Sequence, residues 1–146
     1  MYTIGHSDRS LEEFLDLLRR HRVEVVVDVR RWPTSRHVPH FRRESLEAAL
    51  REAGMDYVWL GESLGGYRRP DYETYMGTED WARGYEELRR LATSRVVAVM
   101  CSERLWFKCH RRFIADRLVR DGFRVLHIID KKRVQEHRGP RGSRCA

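Results

Sequence analysis

Apolar residues along this chain fall into two alternating kinds of run. Leu11, Phe14, Leu15 and Leu18 recur at helical spacing behind Ser10 and Glu13, a capping-box pair, and predict a first helix ending near His21. Glu24 to Arg30 is β-branched and apolar without interruption until Asp28, the pattern of a strand covered on both faces. Leu46, Ala49, Leu50 and Ala53 form a second helical stripe closed by Gly54, and residues 55–60 follow as a strand. Residues 61–79, rich in glycine, read as a long covering loop before a third helix carrying Trp81, Tyr85, Leu88 and Leu91. Residues 95–101 predict another buried strand. A fourth helix, starting between Glu103 and Cys109, carries Ile114, Ala115, Leu118 and Val119 inward and yields at Gly122 to a strand over 123–129.

With residues 2–5 as the opening strand, five strands alternate with four helices. Strict alternation implies right-handed crossovers and hence one α/β domain over residues 1–129, a five-stranded, mostly parallel sheet with helices on both faces in Rossmann-like layering. Residues 130–146, with Lys131, Lys132, Arg133, Arg138, Arg141 and Arg144, read as a basic, flexible tail.

A chain of 146 residues suits one domain, and 41% hydrophobic content in periodic runs argues against disorder. No apolar run approaches membrane-spanning length and no export signal opens the chain. Three cysteines, Cys101, Cys109 and Cys145, are too few and too oddly placed for a disulfide framework. The expectation is a cytoplasmic protein with reduced thiols and no membrane partner. A net charge of +7 points to an anionic partner, a small phosphate-bearing molecule or nucleic acid.

In open parallel sheets, side chains at the carboxyl ends of the strands converge on one edge. That rule selects His6 and Ser7, Asp28 and Arg30, and Cys101 with Glu103. Cys101 ends a strand ahead of a helix and is the expected nucleophile or redox-active thiol. His110 is the expected acid/base, with Cys109-His110-Arg111 in the first turns of the fourth helix. Asp28 or Glu103 supplies an orienting carboxylate, unless Asp28 simply pairs with Arg30. Arg30 and Arg111 are anion clamps. A tyrosine-phosphatase mechanism is disfavoured, because Phe107 stands six positions after Cys101 where that chemistry needs arginine.

The segment 30–43 has no acidic residue and interleaves Trp32 and Phe41 with Arg36, Arg42 and Arg43, suited to neutralising phosphates while aromatics stack on bases, unless it is a solvated basic loop with Trp32 and Phe41 tucked into the core. Tyr67 and Arg68 are placed to close over the same rim. No cofactor is expected; a metal, if present, falls to Cys101, Cys109, His110 and His6, which lack the short paired spacing of a zinc knuckle.

Thr3-Ile4-Gly5-His6-Ser7, Val27-Asp28-Val29-Arg30, Leu64-Gly65-Gly66, Tyr75-Met76 and Met100-Cys101-Ser102-Glu103 with downstream Cys109-His110-Arg111 together resemble the domain of unknown function 488 family. The resemblance covers residues 1 to about 129. It implies an α/β fold and a shared site built from His6, Ser7, Asp28, Arg30, Cys101, Glu103, Cys109, His110 and Arg111, and it implies no substrate. The expected function is thus an enzyme, a cysteine-dependent hydrolase or transferase acting on a nucleotide or nucleic acid. The alternatives are a non-catalytic nucleic-acid-binding module and a metal-dependent hydrolase or metal sensor.

Overall fold

A computed structural model describes residues 1–138. Strands β1 (Tyr2–Gly5), β2 (Val25–Asp28), β3 (Asp56–Trp59), β4 (Val97–Cys101), β5 (Leu126–Ile128) and β6 (Val134–Glu136) form one sheet in the order β3-β2-β4-β1-β5-β6. The first five are parallel and β6 runs antiparallel to β5. The α/β class and the mostly parallel sheet match the sequence pattern.

Side-chain alternation sends the two faces of the sheet to different helices. Val25, Val27, Val97, Val99 and Cys101 pack with Trp81, Tyr85 and Leu88 of α5 (Glu79–Ser94) and with Ile114, Ala115 and Leu118 of α6 (Arg111–Arg120). Val26, Ala98, Met100 and Ile4 pack with Phe14, Leu17 and Leu18 of α1 (Leu11–Arg20) and with Leu46 and Leu50 of α2 (Arg43–Glu52). Both faces are covered, which is why β2 and β4 are buried at every position. Ser10 caps α1 by accepting from the Glu13 amide at 3.1 Å, as its spacing predicts.

The structure departs from the sequence pattern in three places. The sheet has six strands, because Asp130 accepts from the amides of Lys132 and Arg133 and turns the chain back, so that β6 pairs with β5. Residues 130–138 therefore belong to the domain and not to a tail; residues 139–146, with Arg141, Arg144 and Cys145, lie outside the described residues. The covering loop holds two single-turn helices, α3 (Gly61–Leu64) and α4 (Tyr72–Tyr75). Finally, α6 begins only at Arg111, because Trp106–Lys108 forms a 3-10 turn and Cys109 is extended. Among the described residues no helix is long and apolar enough to cross a membrane.

The chain leaves β1 through α1 toward β2 and leaves β4 through α6 toward β5, on the other side of β1. Connections departing in opposite directions open a crevice at the carboxyl ends of β1, β4 and β2. Gly5 lets the segment after β4 cross directly over β1, since a Cβ there would lie 1.8 Å from the Glu103 carbonyl oxygen. Gly5→Ala is expected to destabilise the fold by roughly 1–3 kcal/mol, measured by urea unfolding, because backbone and not a flexible side chain must give way.

Candidate active site

The crevice is a cleft of about 550 Å³ lined by His6, Arg30, Cys101, Glu103, Cys109 and His110 on its floor and by Arg31, Trp32, Tyr67, Arg68 and Lys108 toward its mouth. The amides of His6 and Ser7 donate to the carbonyls of Cys101 and Ser102, at 2.8 and 2.9 Å, so the ends of β1 and β4 are held in register as they enter the site.

Two thiols meet on the floor. Cys101 Sγ lies 2.9 Å from Cys109 Sγ. The Arg111 amide donates to Cys109 Sγ at 3.4 Å, and His110 Nδ1 faces it at 3.5 Å. The hydrogen bond from Cys101, helped by His110 and the charge of Arg111, pulls the Cys109 thiol well below the usual thiol range. Burial, then the adjoining Cys109 sulfur, pushes Cys101 up. Cys101 has a single proton to give, and the Cys109 thiolate at 2.9 Å accepts it better than the Glu103 carbonyl at 3.6 Å.

Cys101 is 2% exposed, whereas Cys109 is half-buried. The favoured thiolate is thus Cys109, not the Cys101 that ends the strand. The reason is the bond that Cys101 donates, with His110 and Arg111 beside the same sulfur, an arrangement the late start of α6 permits.

The orientation of His110 fixes its chemistry. Its Nε2 lies 3.0 Å from the Val29 carbonyl oxygen, which only accepts, so Nε2 carries a hydrogen and Nδ1 is left to exchange a proton with Cys109. The orienting acceptor is a backbone carbonyl, not the carboxylate of Asp28 or Glu103. Gly66 passes close to the ring, where a Cβ would stand 3.0 Å from Nδ1, and Tyr72 packs beside it with ring centroids 5.2 Å apart.

Asp28 instead serves Arg30. Its carboxylate is fully buried, accepts from Arg30 Nε, Nη2 and backbone amide at 2.9, 2.7 and 3.0 Å, and takes a fourth bond from the Tyr57 hydroxyl at 2.6 Å. Arg30 Nη1 also donates to the Phe41 carbonyl and faces His6 Nε2 at 3.4 Å. Arg30 reaches the cleft wall, but its charge is matched beneath it. His6 donates through Nδ1 to the Ser7 carbonyl, and burial, with Arg30 adjacent, holds its pKa down at about 4. Ser7 stands outside the cleft lining, its hydroxyl donating to Asp8. The Glu103 carboxylate accepts from the Arg104 amide.

Arg111 is 1% exposed and lies behind the cleft instead of lining it. It donates to Thr3 Oγ1 at 2.9 Å and to the Glu103 and Arg104 carbonyls at 2.6 and 3.3 Å; its Nε has no partner, and no carboxylate lies within ion-pair distance among the described residues. Thr3 continues into a chain the sequence did not announce: Thr3 Oγ1 to His127 at 2.5 Å, His127 to His137 at 2.8 Å, and His137 to Asp116 at 2.6 Å. These residues lie far apart in sequence, and only β6 brings His137 to the others.

The basic segment divides. Phe41 is fully buried, stacked on His6, and belongs to the core. Trp32 and Tyr67 are 59% and 82% exposed and stand together at the mouth with centroids 5.4 Å apart. Arg31 donates to the Tyr67 carbonyl and tethers the two loops. Arg36 and Arg42 line a separate shallow groove with Arg43. No group of three or more His, Cys, Asp or Glu side chains is placed to hold a metal among the described residues. Of the ring nitrogens in the conceivable ligand set, His6 Nδ1 and His110 Nε2 are engaged by carbonyls and His6 Nε2 faces a guanidinium.

Fold and site together define an α/β protein that gathers a paired-thiol and histidine centre at the carboxyl edge of a mostly parallel sheet. Over residues 10–118 the chain matches the family described as Domain of unknown function DUF488, and it belongs to that family. No curated protein matches the chain. Among solved structures, it is similar to a protein from Shewanella putrefaciens CN-32 provisionally described as a phosphatase (DUF442), with 18% identity and a TM-score of 0.47. The similarity covers 81% of this chain and spans 59% of that protein's length.

Two outcomes follow from the electrostatics. In His110→Ala, the pH midpoint for iodoacetamide alkylation of Cys109 is expected to rise by about one unit or more, with Cys101 protected by burial in both proteins. His6 is neutral in the fold down to about pH 4 but takes a proton near 6.5 when unfolded, so stability present above pH 6.5 is lost as pH falls toward 4. That loss is roughly 3 kcal/mol at His6. Urea melts across this range are expected to show a shallower slope in His6→Gln, with His127, depressed by burial in the same way, supplying the remainder.

Proposed function

We propose that the protein is a cysteine-dependent hydrolase or transferase acting on a phosphate-bearing substrate that carries a nucleobase, either a nucleotide or a nucleic-acid strand. The observation that carries this reading is the Cys109 sulfur, which receives Cys101 at 2.9 Å and the Arg111 amide at 3.4 Å and faces a histidine whose far nitrogen is already fixed. In this reading Cys109 attacks the substrate, and His110 passes a proton to the leaving group and later takes one from the incoming acceptor. Cys101 is a positioning residue that holds the nucleophile's charge.

The substrate class rests on the cleft lining, where Arg31, Arg68 and Lys108 outnumber the single carboxylate of Glu103, while Arg30 is matched by Asp28. The exposed Trp32–Tyr67 pair at the mouth suits stacking on a planar base. Arg36 and Arg42, in the groove beyond, suit the further phosphates of a strand. That groove also favours a second reading, a non-catalytic nucleic-acid-binding module.

A panel of mononucleotides, cyclic nucleotides and single-stranded oligonucleotides, assayed for product and for a covalent adduct by mass spectrometry, separates the two. Catalysis predicts turnover that falls about a thousandfold in Cys109→Ser. Trp32→Ala is expected to raise KM roughly tenfold with little change in kcat, as loss of one stacking contact requires. Full turnover in Cys109→Ser overturns the nucleophile assignment. Salt-sensitive oligonucleotide binding without turnover, weakened by charge removal at Arg36, Arg42 and Arg43, establishes the second reading instead.

A further inference from the structure

We propose that Cys101 and Cys109 form a two-thiol oxidation site, in which Cys109 attacks a hydroperoxide and Cys101 resolves the resulting sulfenic acid to a disulfide. The inference is independent of the substrate that Cys109 serves.

The two sulfurs have unequal access and complementary states. Cys109 is half-buried, lines the solvent-open cleft, and carries the stabilised charge; Cys101 is 2% exposed and already lies 2.9 Å from it. A small oxidant therefore meets Cys109 first, and the nearest thiol to any product formed there is Cys101. Cys101 is anchored in the sheet through pairing with Gly5, while Cys109 sits in the extended residue between the 3-10 turn and α6. Bringing the sulfurs from 2.9 Å to a bonded separation of about 2.05 Å asks for a small shift on the Cys109 side.

The chemistry balances with a hydroperoxide as sole oxidant. Cys109 thiolate attacks the terminal peroxide oxygen, the O–O bond breaks, and the alkoxide or hydroxide leaves with a proton from the solvent or the adjoining His110, giving a sulfenic acid. The Cys101 sulfur then attacks Cys109 sulfur as its proton and the sulfenic hydroxyl depart as water. In total two thiols lose two electrons, the peroxide gains two, and one alcohol (or water) and one further water form.

The order of events is built into the electrostatics. While Cys109 is a thiolate, burial and that neighbouring charge keep the Cys101 proton in place. Conversion of Cys109 to a neutral sulfenic acid removes the opposing charge and leaves buried Arg111 to favour ionisation of Cys101. The disulfide withdraws Cys109 from the cleft as a nucleophile and shields it from irreversible oxidation until an external dithiol reduces it.

The test treats the full-length chain, with Cys145→Ser to remove the third thiol, with one equivalent of hydrogen peroxide at neutral pH, followed by non-reducing tryptic mapping. The expected product joins peptides 96–104 and 109–111, lighter by two hydrogens than their sum, with two thiols lost per peroxide by thiol titration. In Cys101→Ser the crosslink is absent and dimedone traps Cys109; in Cys109→Ser peroxide consumption falls about tenfold or more. Thiol stoichiometry on the chain with both cysteines intact needs neither of these variants to fold. Loss of one thiol per peroxide, a dimedone adduct persisting at Cys109 with Cys101 present, or first oxidation at Cys101 overturns the proposal. None of these outcomes alters the test of Cys109 against phosphate-bearing substrates.

Discussion

The arrangement depends on a guanidinium buried from water, with no carboxylate in reach among the described residues. Arg111 is buried at the start of α6, and its hydrogen bonds go to neutral oxygens: the Thr3 hydroxyl on β1 and two carbonyls in the segment after β4. Desolvating a charge without a counter-ion is costly, so a structure that keeps one gains from any negative charge nearby. Two residues earlier stands Cys109, whose sulfur accepts the Arg111 amide. One side chain thus ties β1, the β4 loop and α6 together and biases the thiol at their junction toward its charged form.

The cation that does line the cleft plays an opposite part. Arg30 is saturated by Asp28, the Phe41 carbonyl and His6, so it shapes the cleft wall and orders the start of the basic loop. His6 is kept neutral beside it. Positive character at the mouth comes instead from Arg31, Arg68 and Lys108, which surround an exposed aromatic pair. Depth therefore separates two jobs: buried charge tunes the sulfur, and solvated charge is available to an anionic ligand.

Much of the fold was legible because it is written in local periodicity. Val25 to Val27 and Val97 to Met100 are buried on both faces and show it as unbroken apolar runs; Ser10 and Glu13 mark a helix start through a bond three residues long. β6 escaped notice because Val134–Glu136 is exposed throughout and has no apolar signature. Its place is set by the turn at Asp130 and by His137 reaching His127. Phe41 is ambiguous for a related reason: among arginines it resembles a solvent-facing aromatic, and only its place between His6 and Phe14 shows it to be core.

By itself, the sequence determined which side chains end the strands and that cysteines, histidines and arginines collect on one rim. It did so because burial, turn formation and strand direction depend on neighbours within a few residues. The tertiary structure alone decided the contacts: Cys109 as the sulfur that Cys101 and the Arg111 amide approach, Asp28 paired with Arg30, the Val29 carbonyl as the partner of His110, and Arg111 buried behind the cleft. Those contacts depend on distances of about 3 Å between segments as far apart as Thr3 and Arg111, 108 residues along the chain. At that range, proton sharing and charge pairing follow from which loops meet in space, and no spacing along the chain records it.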